Sequence, residues 1–298
     1  MYPKDIFLGL DLYDIFICIG VIVCIYAFGI FADKLCLRGK LQRIVYVDAI
    51  VSILTGYIAA VIMQAVYNIA KTGKFEVNAN TGATFYGGLI GGAAVFIGFY
   101  FIVGHFLFRD GYHKRNFFLI ADCAISSVVV AHAFGRIGCL MAGCCHGKVT
   151  DAWYGIMMHG DYGYQKYVPV QLFESIFLFI LFAFLVVRIY KNKTYNLPIY
   201  MVSYGVWRYF IEFLRGDIRG GTFVEWLSPS QLTAIIMIVG GIVVYIFEKR
   251  YNSKHAGEIL SDAQKVKEAY NATTDTGENI GKDDGENKGE NDSGEKDE

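Results

Sequence analysis

Three features of the sequence predict an all-α, polytopic membrane protein of about seven transmembrane helices. More than half of the residues are hydrophobic (54%), only 18% are charged, and mean hydropathy is +0.38, far above a soluble domain of this size. Long apolar runs recur along the chain, each near the ~20 residues needed to cross ~30 Å of hydrocarbon. Clusters of lysine and arginine follow every second run, the spacing that a chain crossing back and forth produces.

The runs are Ile15–Phe31, Ile44–Ala70, Phe85–Phe108, Phe117–Ala142, Val170–Val187, Leu197–Leu214 and Leu227–Phe247. Basic residues cluster at Lys34 to Arg43, Arg109 to Arg115, Arg188 to Lys193 and Lys249 to Lys254. By the positive-inside rule these ends are cytoplasmic, so the amino terminus faces out and the carboxyl terminus faces in. The loops 71–84, 143–169 and 215–226 then lie on the outer face. Trp153, Tyr154, Tyr162, Tyr164 and Tyr167 of the long middle loop read as an interfacial aromatic belt. Residues 1–252 form one seven-helix transmembrane catalytic domain, and 253–298 are expected to be a disordered, acidic and polar cytoplasmic tail. No cleavable signal peptide is expected, because Lys4 and Asp5 precede a long apolar run without a small-residue cleavage site. The net charge of −1 and the lack of a basic stripe with interleaved aromatics point to no nucleic-acid partner.

Chemistry concentrates where polar groups break the apolar pattern. The stretch His132 to Gly147, HAFGRIGCLMAGCCHG, places Arg136 near one end of a spanning run, with His132 one turn earlier on the same face. Ionisable groups at such depth are costly and persist when they pair, snorkel or do chemistry. Gly135 and Gly138 let backbone approach closely. In WRYFIEFLRGD, Arg208, Glu212 and Arg215 stand at i, i+4 and i+7, which would put all three on one helix face. Glu174, one turn inside the fifth run, is placed to pair with one of these arginines. Three guanidiniums gathered in a bundle interior need an anion, and in a membrane the abundant anions are lipid phosphates. In FYGGLIGG, Gly87/Gly91 and Gly88/Gly92 form two offset small-xxx-small pairs, whose commonest use is helix packing; Tyr86 precedes them at the mouth of the bundle. Of the seven cysteines, Cys18, Cys24 and Cys123 read as small buried hydrophobes. Cys139, Cys144 and Cys145 with His146 read as packing at a helix exit, a soft-metal site or a redox pair, although the adjacent pair is awkward for tetrahedral zinc.

These residues resemble those of the prolipoprotein diacylglyceryl transferase family of bacterial inner-membrane enzymes. The likeness rests on the glycines that open the third run, GRIG at 135–138, the Pro169, Gln171, Leu172 and Glu174 start of the fifth run, the RxxxExxR face of 208–215, and Ser228-Pro229-Ser230-Gln231-Leu232. It implies transfer of diacylglyceryl from phosphatidylglycerol to the lipobox cysteine of a prolipoprotein signal peptide, releasing glycerol phosphate, in the bacterial cell membrane and among its lipids. It also implies that Arg136 and Arg208 hold and polarise the lipid phosphate, with Glu212 and Arg215 completing the network. Gly87, Gly88, Gly135, Gly138 and Tyr13 would line the lipid site. No metal or cofactor is required by that reading. The sequence departs from the pattern in two places. Tyr86 stands where the family usually carries histidine, and Cys139, Ala142 and Cys144 replace two asparagines and a glutamate. The role of taking the thiol proton then passes to Tyr86, His132 or His146. The alternatives are a paralogous phospholipid-binding protein with another acceptor, and a metal or redox protein built on the cysteines and His146.

Overall fold

A computed structural model of the chain describes residues 10–73, 77, 81, 82, 84–160, 162–216 and 227–275. Most of the expected loops 71–84 and 215–226, and the tail beyond Asp275, lie outside the described residues. The helices are α1 (Leu12–Lys34), α2 (Gly39–Thr72), α3 (Phe85–Leu107), the single turn α4 (Tyr112–Arg115), α5 (Phe117–Ala142), α6 (Val170–Tyr190), α7 (Asn196–Ile211) and α8 (Pro229–Asp275). Between α5 and α6 an antiparallel hairpin pairs β1 (Ile156–Gly160) with β2 (Gly163–Tyr167).

Large apolar side chains cover the outside of this bundle. Ile22, Ile50, Leu54 and Ile90 are each more than half exposed, which water would not tolerate and lipid requires. The chain is a multi-pass membrane protein. Among the described residues, six helices are long and apolar enough to cross a membrane: α1, α2, α3, α5, α6 and α8. The expected sixth span, Leu197–Leu214, is α7 with only 16 residues, continued by a 3₁₀ turn over Glu212–Leu214. Helix rise makes α7 about 24 Å long, and the 3₁₀ turn adds about 6 Å, so the pair together match the hydrocarbon thickness.

Small residues set the helix contacts. A β-carbon at Gly87 would lie 2.6 Å from Met63 Cβ and 2.9 Å from the Ala59 carbonyl, and Gly88 and Gly92 face Gly56 and its neighbours. The glycine stripe of α3 is therefore spent on α2. On α5, Gly138 stands against Tyr13 of α1 and Gly135 against Ile17. The core has two main centres. One gathers Phe28, Phe31, Leu41, Tyr100, Tyr112 and Ile120 at the α4 end; the other gathers Val129, Ala133, Leu178, Leu181, Leu185 and Tyr204 between α5, α6 and α7.

The start of α7 is tied down by buried polar groups. Asp122 of α5 accepts the Leu197 N–H at 2.8 Å, and Asn196 donates to Ser126 Oγ (3.0 Å) and to the Leu185 carbonyl (3.2 Å). Arg188 donates to Asn196 (2.9 Å), and Glu248 of α8 accepts the Tyr195 N–H (3.1 Å). Farther along, Trp207 stacks on Phe177 with ring centroids 4.4 Å apart. Together these contacts fix the register in which α7 presents Arg208.

The expectation of disorder from residue 253 needs correction: α8 continues as helix to Asp275. Lengthening an existing helix needs no nucleus, and Ala, Glu, Lys, Gln and Leu in this stretch favour it. The extension is also anchored, because buried Asp262 accepts from Arg115 Nε (3.0 Å), Arg115 Nη2 (3.2 Å) and Asn116 Nδ2 (3.2 Å). Asp262→Ala strands those donors and should weaken the extension by about 1–3 kcal/mol. Limited trypsinolysis checks this: cleavage at Lys265 and Lys267 speeds up while the apolar helices stay protected.

Candidate active site

Arg136, Glu174, Tyr204, Arg208, Glu212 and Arg215 come together at the ends of α5, α6 and α7. Glu174, fully buried on the first turns of α6, is the hub. Its Oε2 lies 3.1 Å from Arg136 Nε and 4.0 Å from Arg208 Nη1, while its Oε1 accepts the Tyr204 hydroxyl at 2.6 Å. Tyr204 in turn accepts from Arg136. Arg208 Nη2 sits 3.2 Å from Glu212 Oε2 and donates to Ser230 Oγ at 2.9 Å. Glu212 also accepts from Ser228 Oγ at 2.9 Å and stands 3.8 Å from Arg215 Nε.

Each side chain is delivered by a local reason. Pro169 precedes the first residue of α6, so Gln171 and Glu174 lie on its first inward-facing turns. Tyr204, Arg208 and Glu212 follow at steps of four along α7 and its 3₁₀ turn, hence on one face. Ser228 and Gln231 cap the start of α8: the Gln231 N–H donates to Ser228 Oγ, and the Ser228 N–H to Gln231 Oε1, both at 3.1 Å. That cap holds Ser230 and Ser228 towards Arg208 and Glu212.

The expected single helical face for Arg208, Glu212 and Arg215 holds for the first two only. Past the 3₁₀ turn the backbone becomes extended, and Arg215 bridges Gly147 as in a strand pair. Lys148 N–H donates to the Leu214 carbonyl at 3.0 Å, and Gly147 N–H to the Val168 carbonyl at 2.9 Å. A β-carbon at Gly147 would fall 2.7 Å from the Leu214 carbonyl and from Val168, so only glycine admits this crossing. Arg215 thus arrives through the loop after α5 and lines an open groove of about 590 Å³ with Lys148, Val149, Tyr162, Gln165 and Gly216.

The remaining residues expected at the site are divided. His132 lies edge-on to the Tyr204 ring at 5.0 Å, inside the network. Tyr86 is partly exposed and sits on the first turn of α8, where its hydroxyl donates to the Pro229 carbonyl (3.3 Å) and accepts from Thr233 Oγ1 (3.0 Å). Gly135, Gly138 and Tyr13 form the α1–α5 contact beside the network. Gly87 and Gly88, expected to line the lipid site, are turned to α2 instead, because their missing side chains are what allows that contact. Tyr204 and Ser230 were not expected at the site. A tyrosine four residues before Arg208 carries the periodicity signal, but the same signal fits any packed aromatic.

Beside the network, Cys139, Cys144 and Cys145 place their sulfurs within 4.8 Å of one another. His146 does not join them; it is buried against Tyr167, with ring centroids 4.3 Å apart, and its Nδ1 is 3.0 Å from the Gly147 carbonyl. The thiols share their protons unequally. Cys145 is drawn well below the ordinary thiol range by hydrogen bonds from Cys139 and Cys144 and by Arg215, against the opposing effect of burial. Cys144, whose thiol donates to the Cys139 carbonyl at 3.7 Å, is pushed up by its two neighbouring thiols and by burial.

Removing the hub should be felt throughout. Glu174→Ala leaves two buried guanidiniums without their shared carboxylate, a loss of about 3–5 kcal/mol. Tyr204→Phe, which removes one hydrogen bond to it, should cost about 1–2 kcal/mol. Thermal unfolding of the detergent-solubilised protein checks the order: Glu174→Ala falls furthest, Tyr204→Phe less, and Phe210→Ala, on an exposed lipid-facing position, least.

The family model described as prolipoprotein diacylglyceryl transferase matches residues 5–247. A Clostridium perfringens protein named phosphatidylglycerol–prolipoprotein diacylglyceryl transferase 2 is 41% identical over 152 residues, covering 49% of this chain and 58% of its own length. The corresponding transferase of Clostridium tetani is 30% identical over 247 residues, 80% of this chain and 92% of that protein. That of Clostridioides difficile is 30% identical over 218 residues, 70% and 80% respectively. With the match running through every helix that carries the arginine–glutamate network, the chain belongs to the prolipoprotein diacylglyceryl transferase family.

Proposed function

We propose that this protein transfers the diacylglyceryl group of phosphatidylglycerol to the thiol of a prolipoprotein's lipobox cysteine, forming a thioether and releasing glycerol phosphate. One observation supports this above all: three arginines, Arg136, Arg208 and Arg215, converge on only two carboxylates, Glu174 and Glu212, at one end of an apolar bundle. A phosphodiester carries one negative charge, and guanidinium forks suit its oxygens. Glu174 and Glu212 hold the guanidiniums in place before the lipid arrives, so little reorganisation is left for the reaction.

The chemistry follows from that charge balance. The acceptor sulfur attacks the glycerol carbon of the diacylglyceryl group, and the carbon–oxygen bond to phosphate breaks. The departing glycerol phosphate gains a second negative charge, which Arg136 and Arg208 stabilise as it forms. Arg215 and the groove beside it face the departing headgroup. In this reading His132, which lies against Tyr204 in the network, is the first candidate to take the thiol proton, and Tyr86, on the first turn of α8, the second.

The arginine network lies at the end of the bundle opposite the Lys/Arg clusters, and the positive-inside rule supports reading that end as the outer face of a bacterial cytoplasmic membrane. In that orientation α7 with its 3₁₀ turn serves as the seventh span, the amino terminus is outside and the carboxyl terminus cytoplasmic. The signal peptide of the acceptor and the surrounding membrane lipids are the partners.

The test is transfer of labelled diacylglyceryl from phosphatidylglycerol to a synthetic lipobox peptide by purified protein. Arg136→Ala and Arg208→Ala should each remove detectable thioether product while leaving the protein folded by circular dichroism. Arg208→Lys should not restore it, since an ammonium cannot span two phosphate oxygens. Normal transfer by either alanine variant would overturn the assignment.

A further inference from the structure

The cysteine trio has a geometry that packing alone does not ask for. Cys139 is in the last turn of α5, and the helix ends at Gly143 in the left-handed conformation (φ 74). Two residues on, Cys145 takes the same left-handed region (φ 61), unusual for a residue with a β-carbon. In extended backbone, neighbouring side chains point to opposite sides. The turn at Cys145 instead brings its sulfur to the side of Cys144 and Cys139, which removes the objection to an adjacent pair as co-ligands. Gln171 helps to hold the turn, donating from Nε2 to the Cys144 carbonyl at 2.5 Å.

Three thiolates around one thiophilic ion, with metal–sulfur bonds of ~2.3 Å, stand roughly 3.8–4.0 Å apart. Sulfurs already within 4.8 Å of one another need only a small contraction. Three thiolates carry more negative charge than a divalent cation neutralises, and Arg215, bonded to Cys145, and Arg136, one turn before Cys139, face the excess. Among the described residues no histidine or carboxylate joins the trio as a fourth ligand. Cys144 is exposed, so the fourth side is reachable from outside. Three protein ligands and one open position is the arrangement of reactive rather than structural zinc.

We propose that Cys139, Cys144 and Cys145 bind one thiophilic d¹⁰ cation of the zinc type, and that its open position takes the acceptor thiol. The second part rests on the transfer reaction proposed above. A coordinated thiol is deprotonated outright, so the cation supplies what the missing polar side chains of this pocket do not. The acceptor thiol binds the cation and releases its proton to water. A sulfur lone pair then attacks the glycerol carbon, and the electrons of the breaking carbon–oxygen bond leave on glycerol phosphate. The neutral thioether, a weak ligand, departs from the cation, whose oxidation state does not change.

The experiment uses the full chain in detergent, reduced and stripped with a chelator, and titrates it with Cd²⁺. One equivalent should bind with a thiolate-to-cadmium charge-transfer absorption of three-sulfur intensity, and Zn²⁺ should displace it. Cys144→Ser should weaken binding at least about tenfold, and Cys18→Ser, on α1, should not. A lipobox peptide should raise the absorption by about one third as a fourth thiolate is added, and a serine-for-cysteine peptide should leave it unchanged. No uptake by the reduced parent, or unchanged uptake by the Cys139→Ser/Cys144→Ser double variant, would overturn the site. Uptake without response to the thiol peptide, or full lipid transfer by stripped protein in excess chelator, overturns its part in the reaction. Metal binding without any lipid transfer would instead count against the transferase reading and leave the metal site standing.

Discussion

A single buried carboxylate, Glu174, decides how this end of the bundle is built. Without it Arg136 and Arg208 would be two like charges in an apolar interior, each with a desolvation penalty of several kcal/mol and no partner to offset it. With it, α5, α6 and α7 are drawn to one point by contacts of 3.1 Å, 4.0 Å and, through Tyr204, 2.6 Å. The second carboxylate, Glu212, extends the same logic outward to Arg215 and to the start of α8. The network is balanced to within one charge, so the helices hold together before any ligand arrives and still attract an anion when one does. A fully neutral network would give up that attraction; one more uncompensated arginine would destabilise the bundle.

The rest of the chain divides the labour around this point. Glycine contacts join α1 to α5 and α2 to α3 closely enough for backbone to meet backbone, and they need no charge. Polar ties at the opposite end, from Asp122, Arg188 and Glu248 to the turn before α7, set the height at which that helix begins. The loop between α5 and α6 is not slack: its hairpin and the crossing at Gly147 bring Arg215 back to the membrane end of α5, where the cysteines are. Tyr167, expected as part of an interfacial belt, is fully buried under that hairpin, whereas Trp153 stays exposed as a belt residue would.

Much of this was legible in the sequence because lipid imposes a coarse rule. A run such as Phe117 to Ala142 is bounded by a charged cluster and a glycine turn, and the helix has those same limits. Arginines and glutamates inside such runs have few ways to be satisfied, so Arg136, Arg208 and Glu212 stood out by that cost together with their spacing and polar neighbours. What escaped was information that composition does not carry. FYGGLIGG carries the small-residue pattern whose commonest use is packing, but which helix it packs on is seen only in the position of α2. The polarity of 253–275 suggested a disordered chain, but a helix already running needs only compatible residues to continue, and Asp262 gives it an anchor far away in sequence. The convergence of three sulfurs depends on a left-handed turn at Cys145, which a non-glycine residue does not advertise.

The length of α8 has a consequence of its own. Forty-seven residues of continuous helix extend about 70 Å, of which a bilayer's hydrocarbon can hold only ~30 Å. Roughly half of the element must therefore stand clear of the acyl chains, stiffened by its own backbone and clamped at Asp262. Asp275 therefore ends a rigid arm at the opposite end of the bundle from the arginines. A fluorescent protein or affinity label joined after Asp275 would report on the protein in a native membrane without reaching the arginine network.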